Sequence, residues 1–196
     1  SVIDGISKYQ TLVVKNPTAA PLVVDRMAFV RSVMNGLCKT GAGNLTIESC
    51  LFMTNGLRAS SSAGGTGSGT DGKGIRVSSA SGATVTVRDS IFRANRQTAS
   101  DAGGPGAALM LSGCTKAVVE NCGFFGNSLP LLVSGTGATS GNPLGDIFTT
   151  GSAIYSSVPT TVAGCRFSGN ICIVRSYSIS GGAIWFAAGS TGSVVS

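Results

Sequence analysis

The sequence predicts an all-β protein, a right-handed parallel β-helix built from three-strand rungs. Three features indicate this fold: a short motif that recurs, a second motif that alternates with it, and a composition poor in charge. Charged residues make up 11% of the 196 residues, against about 25% in a typical soluble domain. Glycine is abundant, with 29 residues. Such a composition is typical of many short strands joined by turns.

The recurrent motif is C-x-F-x-x-N, with serine replacing cysteine in one copy. The four copies are CLFMTN at 50–55, SIFRAN at 90–95, CGFFGN at 122–127 and CRFSGN at 165–170. They align without gaps upstream of phenylalanine. A fainter copy at 21–32 has Met27 in the cysteine position and Ser32 in the asparagine position.

The spacing of the copies predicts a solenoid with insertions. Successive phenylalanines are separated by 23, 40, 32 and 43 residues. About 23 residues form one turn of a three-stranded solenoid, and a longer interval is one turn plus an insertion. Two insertions are visible as Gly/Ser-rich loops at 58–72 and 134–146. We therefore expect a single solenoid domain over residues 1–196, with about seven rungs.

The second motif opens a strand after a pair of small residues. It occurs as GKGIRV at 72–77, GAALML at 106–111, GSAIYS at 151–156 and GGAIWF at 181–186. A rung therefore consists of a strand after G-x-[AG], a V-x-V strand, a polar bend and the C-x-F-x-x-N strand. A helix is the alternative over 24–39, where the composition is partly helical and a capping helix would fit.

The repeats predict which side chains fill the interior. Alternation in the middle strand directs Ile47, Val87 and Val118 inward. The residue three before each phenylalanine suits a left-handed bend, and these residues are Ser49, Asp89, Asn121 and Gly164. Because rungs lie about 4.8 Å apart, equal residues stack. The predicted ladder comprises Phe29, Phe52, Phe92, Phe124, Phe167, Asn55, Asn95, Asn127 and Asn170.

The two motifs together, GGA[ILV] and FxxN, resemble the repeats of the chlamydial polymorphic outer membrane proteins. The full GGA[ILV] copy is at 181–184, and the resemblance covers roughly residues 20–196. It implies a pectin-lyase-like solenoid that is exposed on the cell surface and acts in adhesion. Similar repeats also occur in large extracellular proteins of algae and other microbes. The resemblance therefore implies an extracellular or cell-surface location.

The six cysteines leave two interpretations open. They are Cys38, Cys50, Cys114, Cys122, Cys165 and Cys172. Cys50, Cys122 and Cys165 share the inward column, which favours packing as small apolar residues. Disulfides are the other interpretation, within the local pairs Cys114–Cys122 and Cys165–Cys172 or across rungs as Cys122–Cys165.

Several kinds of chemistry are disfavoured by what the sequence contains. The chain has no histidine, which excludes Ser-His-Asp and Cys-His nucleophiles, and it has no CxxC metal motif. GSGTDGKG at 67–74 resembles a phosphate-binding loop, but a strand follows it instead of a helix. Glu48 and Glu120 share a column with Arg88 between them, which indicates charge compensation. We therefore expect no catalytic residues, no cofactor and no metal site.

The partners predicted from the sequence are proteins and glycans. The net charge of +6 is compatible with acidic glycans, whereas basic residues are not interleaved with aromatic ones as in nucleic-acid binding. No apolar run reaches the roughly 18–20 residues of a transmembrane helix. Asn44 begins an N-x-T sequon and is a candidate glycosylation site.

The sequence therefore predicts a non-enzymatic structural or adhesive segment, a rigid rod that presents loops. The last rung reaches Val195 before another phenylalanine motif and carries no polar cap. We expect a fragment of a longer chain, with other subunits or the rest of that chain at the open rung ends. The first alternative is a carbohydrate-active β-helix enzyme or glycan-binding module. The second is a subunit that stacks end to end in an extracellular filament or sheath.

Overall fold

A computed structural model describes residues 1–5, 10–15, 20–56, 73–78, 80–96, 108–129, 149–150, 152–172, 179–180 and 182–196. The predicted insertions at 58–72 and 134–146 lie outside these residues.

The described residues form short strands and no helix. In chain order the strands are β1 (Val2–Asp4), β2 (Gln10–Lys15), β3 (Leu22–Asp25), β4 (Ala28–Val30), β5 (Asn35–Thr40), β6 (Leu45–Glu48), β7 (Leu51–Met53), β8 (Ile75–Val77), β9 (Thr84–Arg88), β10 (Ile91–Arg93), β11 (Leu109–Leu111), β12 (Lys116–Glu120), β13 (Gly123–Phe125), β14 (Ser128–Leu129), β15 (Thr149–Thr150), β16 (Ile154–Ser156), β17 (Thr160–Ala163), β18 (Arg166–Ser168), β19 (Ile171–Cys172), β20 (Ile179–Ser180), β21 (Ile184–Phe186) and β22 (Val194–Val195). The alternative of a helix over 24–39 is wrong, because this segment supplies a strand to each of three sheets.

Three parallel sheets of six strands each form the walls of the molecule. Sheet 1 has the order β1-β4-β7-β10-β13-β18, sheet 2 the order β2-β5-β8-β11-β16-β21, and sheet 3 the order β3-β6-β9-β12-β17-β22. Consecutive strands of the chain lie in different sheets, and each returns to its own sheet one rung later. This is the predicted right-handed parallel β-helix, with about six rungs instead of seven. Two smaller sheets, β14-β19 and β15-β20, each consist of two parallel strands.

Equivalent residues of successive rungs are paired in the sheets. Phe52 pairs with Phe29 on one side and Phe92 on the other, and Phe124 pairs with Phe92 and Phe167. The same register holds in sheet 3, where Ile47 pairs with Val87. Because strands in register place equal positions one above another, each sequence column becomes a physical column.

The inner column of sheet 3 corrects one prediction by a single residue. Val119 pairs with Val87 and is fully buried, whereas Val118 pairs with Thr86 and is only partly buried. Ile47 and Val87 are fully buried, as predicted. The two adjacent valines of β12 are both suitable for an interior position, and the pleat selects Val119.

An interior position of sheet 2 is occupied by a lysine. Lys39 in β5 pairs with Val14 and Val77 on the inner face of sheet 2 and is fully buried. Its Nζ donates hydrogen bonds to the carbonyl oxygens of Thr40 (3.0 Å) and Gly41 (2.7 Å). Burial lowers the pKa of Lys39, because desolvation disfavours the charged amine.

No helix in the described part of the chain has the length and apolar character needed to cross a membrane.

Candidate functional site: the side-chain ladders and the C-terminal edge

The five phenylalanines of the motif form one continuous stack. Neighbouring ring centroids are 4.8–5.0 Å apart, and the planes of adjacent rings differ by 4–9°. Four rings are fully buried, while Phe167 at the end of the stack is only partly buried. Rung spacing imposes the ring separation, so each interior ring contacts an aromatic neighbour on both faces.

The small residues of the second motif make room for these rings. Gly36 and Gly74 directly precede the aligned Leu37 and Ile75. A Cβ at Gly74 would lie 2.6 Å from the Ala108 carbonyl oxygen and 2.9 Å from the Phe92 ring. The Gly/Ala motif and the FxxN motif are therefore packing partners, which explains why they alternate in the sequence.

The asparagines form a second ladder, in which every polar atom of the side chain has a partner. Asn95 Oδ1 accepts hydrogen bonds from the backbone N–H (3.2 Å) and from Nδ2 (2.9 Å) of Asn55. Asn95 Nδ2 donates to the Phe52 carbonyl (3.0 Å) and to Asn127 Oδ1 (3.0 Å). Asn95 is fully buried, so these four bonds replace the water that the amide loses.

The same contacts repeat along the ladder. Asn127 donates through Nδ2 to Asn170 Oδ1 (2.9 Å), and its backbone N–H donates to the same oxygen (3.1 Å). At the other end, Ser32 takes the asparagine position and donates through its backbone N–H and hydroxyl to Asn55 Oδ1. The asparagines therefore link adjacent rungs, beyond their predicted place at a turn.

Two columns of residues with left-handed backbone conformation bend the chain, one before and one after the strands of sheet 1. The column before the sheet has φ of 50–60° at Ser49, Asp89, Asn121 and Gly164, the residues predicted from their type. A second column lies two residues after each phenylalanine, with φ of 52–64° at Arg31, Thr54, Ala94, Gly126 and Gly169. Residue type does not predict this second column, because arginine, threonine and alanine carry no preference for that conformation.

The cysteine column is a ladder of hydrogen-bonding small side chains. The Cys50 backbone N–H donates to Ser90 Oγ (3.0 Å), and the Cys122 backbone N–H donates to Cys165 Sγ (3.4 Å). Ser90 Oγ donates in turn to the carbonyl two residues earlier (2.8 Å), and Cys165 Sγ makes the equivalent contact at 3.4 Å. Thiol and hydroxyl fill the same role, which explains the serine in one copy of the motif.

No disulfide joins the cysteine side chains that the structure describes. Cys38, Cys50, Cys114, Cys122 and Cys165 are free thiols, and the side chain of Cys172 lies outside the described part. Cys114 precedes β12 and Cys122 follows it, so about 16 Å of strand separates them. A disulfide needs Cα atoms about 4.4–6.8 Å apart. Packing in the interior is therefore the interpretation that the structure supports for Cys50 and Cys122.

Burial separates the thiols by acidity. It raises the pKa of Cys50 and Cys38, and raises that of Cys114 to about 11. The two neighbouring thiols of Cys122 and Cys165 affect each other: their interaction raises the pKa of Cys122 and lowers the pKa of Cys165. Cys165 is also the least buried of the five. We therefore expect Cys165 to react first among these thiols.

The charged column on the outer face of sheet 3 has the arrangement expected from the sequence. Arg88 pairs with Glu48 and with Glu120, and Arg88 Nη2 donates to Glu48 Oε2 at 2.8 Å. This hydrogen bond raises the pKa of Arg88. The two carboxylates lie two rungs apart, roughly 10 Å, with a cation between them. Within the described ranges, no group of three or more His, Cys, Asp or Glu side chains is placed to hold a metal ion.

Three further side chains face outward, namely Tyr155, Trp185 and Asn44. Tyr155 pairs with Trp185 on the outer face of sheet 2, and both are partly exposed. Asn44 is exposed, and its Oδ1 accepts a hydrogen bond from the Thr84 backbone N–H at 2.8 Å. Asn44 thus lies on the surface, where a glycan has access.

The sheet 1 column ends at β18 with its contacts incomplete. Asn170 Nδ2 donates to the Phe124 carbonyl (2.8 Å). The backbone N–H groups of Gly169 and Asn170 have no acceptor among the described residues, unlike their equivalents in the preceding rungs. The neighbouring edge in sheet 3 exposes Val195, whose equivalent Val162 is buried.

These features define the class of protein as a parallel β-helix solenoid with ladders of equal side chains in its interior. No family model matches the chain, and neither a curated protein nor a solved structure matches it.

Proposed function

We propose that the chain is a non-enzymatic structural and adhesive segment of an extracellular or cell-surface protein, in which a rigid β-helical rod presents loops to a partner. The observation that carries this proposal is the pair of continuous side-chain ladders in the interior. The phenylalanine ladder runs from Phe29 to Phe167 and the asparagine ladder from Ser32 to Asn170. Together they join the five successive rungs from β4 to β18.

Such a construction makes the rod stiff and its surface repetitive. Each rung contacts only its neighbours, so stability comes from stacked interfaces. The charged column of Glu48, Arg88 and Glu120 is internally compensated. The predicted loops at 58–72 and 134–146 are then the places where the sequence departs from the repeat, and insertions of a solenoid commonly form its binding face.

The location outside the cell is supported by the resemblance of the motifs to surface-exposed repeats. Cys50 and Cys122 pack as small apolar side chains. This packing needs no disulfide and therefore no oxidising compartment.

The adhesive role is tested with beads coated with the purified protein. Variants replace loop 58–72, loop 134–146 or both with short Gly-Ser linkers, and circular dichroism verifies that the rod still folds. We expect the coated beads to bind cultured cells or immobilised acidic glycans, and the doubly replaced variant to lose at least tenfold in bound beads. Equal binding by the variant and the original protein would contradict the proposal.

Glycan binding is the second candidate function, favoured by the outward Tyr155–Trp185 pair. Two aromatic rings one rung apart offer flat apolar faces to sugar rings. A Tyr155→Ala/Trp185→Ala variant that loses retention on a glycan array, while the loop variants keep it, would favour this function. Release of reducing ends from a polysaccharide by the protein would instead identify a carbohydrate-active enzyme.

A further inference from the structure

The edge of sheet 1 at β18 repeats an interface that the rest of the protein shows complete. At each preceding rung the ring of the motif stacks on the next ring, at 5.0 Å or less. Among the described residues, Phe167 has a ring neighbour on one side only, and it is the one phenylalanine of the column that is partly exposed. Its free face is therefore apolar surface of the same shape that Phe124 offers to Phe167.

The polar groups at this edge specify what is missing. Asn127 gives both its backbone N–H and its Nδ2 to the amide oxygen of the next asparagine. Asn170 holds the same two donors in the same place, and neither has such an acceptor in the described structure. The Gly169 N–H lacks the strand carbonyl that the equivalent Gly126 N–H receives from Ser168 (2.9 Å).

A third group completes the pattern. The backbone N–H of Cys122 donates to the thiol of Cys165 in the next rung, and the N–H of Cys50 donates to the hydroxyl of Ser90. The backbone N–H of Cys165 is the next member of this series, and no side chain of the described residues accepts from it. A strand that complements this edge therefore carries a side chain with a small acceptor atom, an aromatic ring two residues later and a side-chain amide oxygen three residues after the ring.

We propose that this edge is a docking site for an extended strand that carries the motif [C/S]-x-F-x-x-N, added in parallel to β18. Strand addition to an open sheet edge supplies main-chain hydrogen bonds for affinity, and the side-chain positions supply specificity. The proposal extends the existing interfaces by one strand. It is independent of the adhesive function proposed above, which concerns the loops.

A second copy stacked head to tail does not supply these groups. Its N-terminal strand β1 places Ile3 in the phenylalanine position, and the sequence has Ile6 where the motif has asparagine. An isoleucine offers neither an aromatic face to Phe167 nor an amide oxygen to Asn170. The strand that fits best is one with the motif itself.

The probe for this site is the peptide DSIFRANR, which has the sequence of residues 89–96 and contains no cysteine. Labelled peptide is titrated with the full chain by fluorescence anisotropy. Control peptides carry alanine at the position of Phe92 or of Asn95. A matched control carries threonine at the position of Ile91, which points outward and is exposed in the protein.

We expect saturable one-to-one binding of the peptide and of the threonine control, weakened at least tenfold by either alanine. Amide hydrogen exchange should slow at Gly169 and Asn170 when the peptide is bound. Equal binding of all peptides, or protection elsewhere on the protein, would overturn the proposal.

A second experiment attaches the motif strand covalently to the protein, so that a weak affinity of the free peptide does not limit the test. Adding DSIFRAN after Ser196 continues the register of β22, in which Val195 pairs with Val162. We expect this tail to raise Tm by about 2–4 °C or more relative to the same tail with alanine for phenylalanine. No difference between the tails would overturn the proposal. Head-to-tail dimers in sedimentation that the peptide does not dissociate would assign the edge to a second copy and also overturn it.

Discussion

Replacement of Asn95 by aspartate tests the asparagine ladder at its centre. The carboxylate still accepts from Asn55, but it loses the two donations that Asn95 Nδ2 makes to the Phe52 carbonyl and Asn127 Oδ1. The backbone N–H of residue 95 still donates to Asn127 Oδ1 (3.1 Å), so the new carboxylate oxygen is the atom left without a partner. Such a buried oxygen costs about 1–3 kcal/mol, and more when it is charged, which is a large share of the roughly 5–15 kcal/mol that stabilises a typical domain.

This loss depends on pH in a defined direction. Burial and two facing acceptor oxygens raise the pKa of the new carboxyl in the folded protein above its unfolded value of about 3.9. The protonated acid donates one of the missing hydrogen bonds. Stability of the variant is therefore greatest below about pH 4 and falls as pH rises through the folded pKa.

The assay is urea unfolding of Asn95→Asp and of the unmodified protein from pH 3 to pH 8. Asn44→Asp is the matched control, because Asn44 is exposed and uses only its oxygen as an acceptor. A loss at pH 7 within about 0.5 kcal/mol of this control, or a loss that does not vary with pH relative to the unmodified protein, would refute the buried ladder.

Four further outcomes follow from the same columns. Phe92→Ala, between two stacked rings, should cost about 3–5 kcal/mol in urea unfolding, and Phe167→Ala less than half as much; equal losses would mean that the ladder has no open end. Ala94→Gly, at φ of 52°, should raise the free energy of unfolding by about 0.5–1 kcal/mol, and a decrease would contradict that backbone conformation. Native iodoacetamide labelling followed by peptide mass spectrometry should modify Cys165 before the other described cysteines, because its pKa is lowered and its side chain is the least buried; faster labelling of a buried thiol would contradict the assignment. Burial raises the pKa of the Cys114 thiol to about 11, so the folded protein holds this proton to a higher pH than the unfolded chain does. The free energy of unfolding should therefore fall as pH rises above the unfolded pKa of the thiol; an equal fall in a Cys114→Ala variant between pH 8 and pH 10.5 would contradict this.

The rung and its register were predictable because the motif repeats at fixed internal spacing. Phenylalanine and asparagine keep a separation of three residues in all four full copies, so stacking follows once the solenoid is recognised. The first bend was predictable for a chemical reason. Serine, aspartate, asparagine and glycine tolerate or support left-handed backbone, and Asp89 and Asn121 adopt it.

The remaining features depend on tertiary context. Arg31 and Ala94 adopt left-handed backbone because the surrounding rungs require a bend there. Lys39 is buried because two corner carbonyls lie within reach of its amine, which spacing in the sequence does not reveal. The Cys114–Cys122 disulfide failed as a prediction because β12 lies between the two residues.

The C-x-F-x-x-N motif is a stacking element that joins one rung to the next. Its most direct test is a nuclear Overhauser experiment on protein with isotope-labelled phenylalanine. The ring protons of Phe52 should show contacts with the rings of both Phe29 and Phe92, which are distant in sequence and about 5 Å away in space. A spectrum in which Phe52 contacts neither ring would contradict the account.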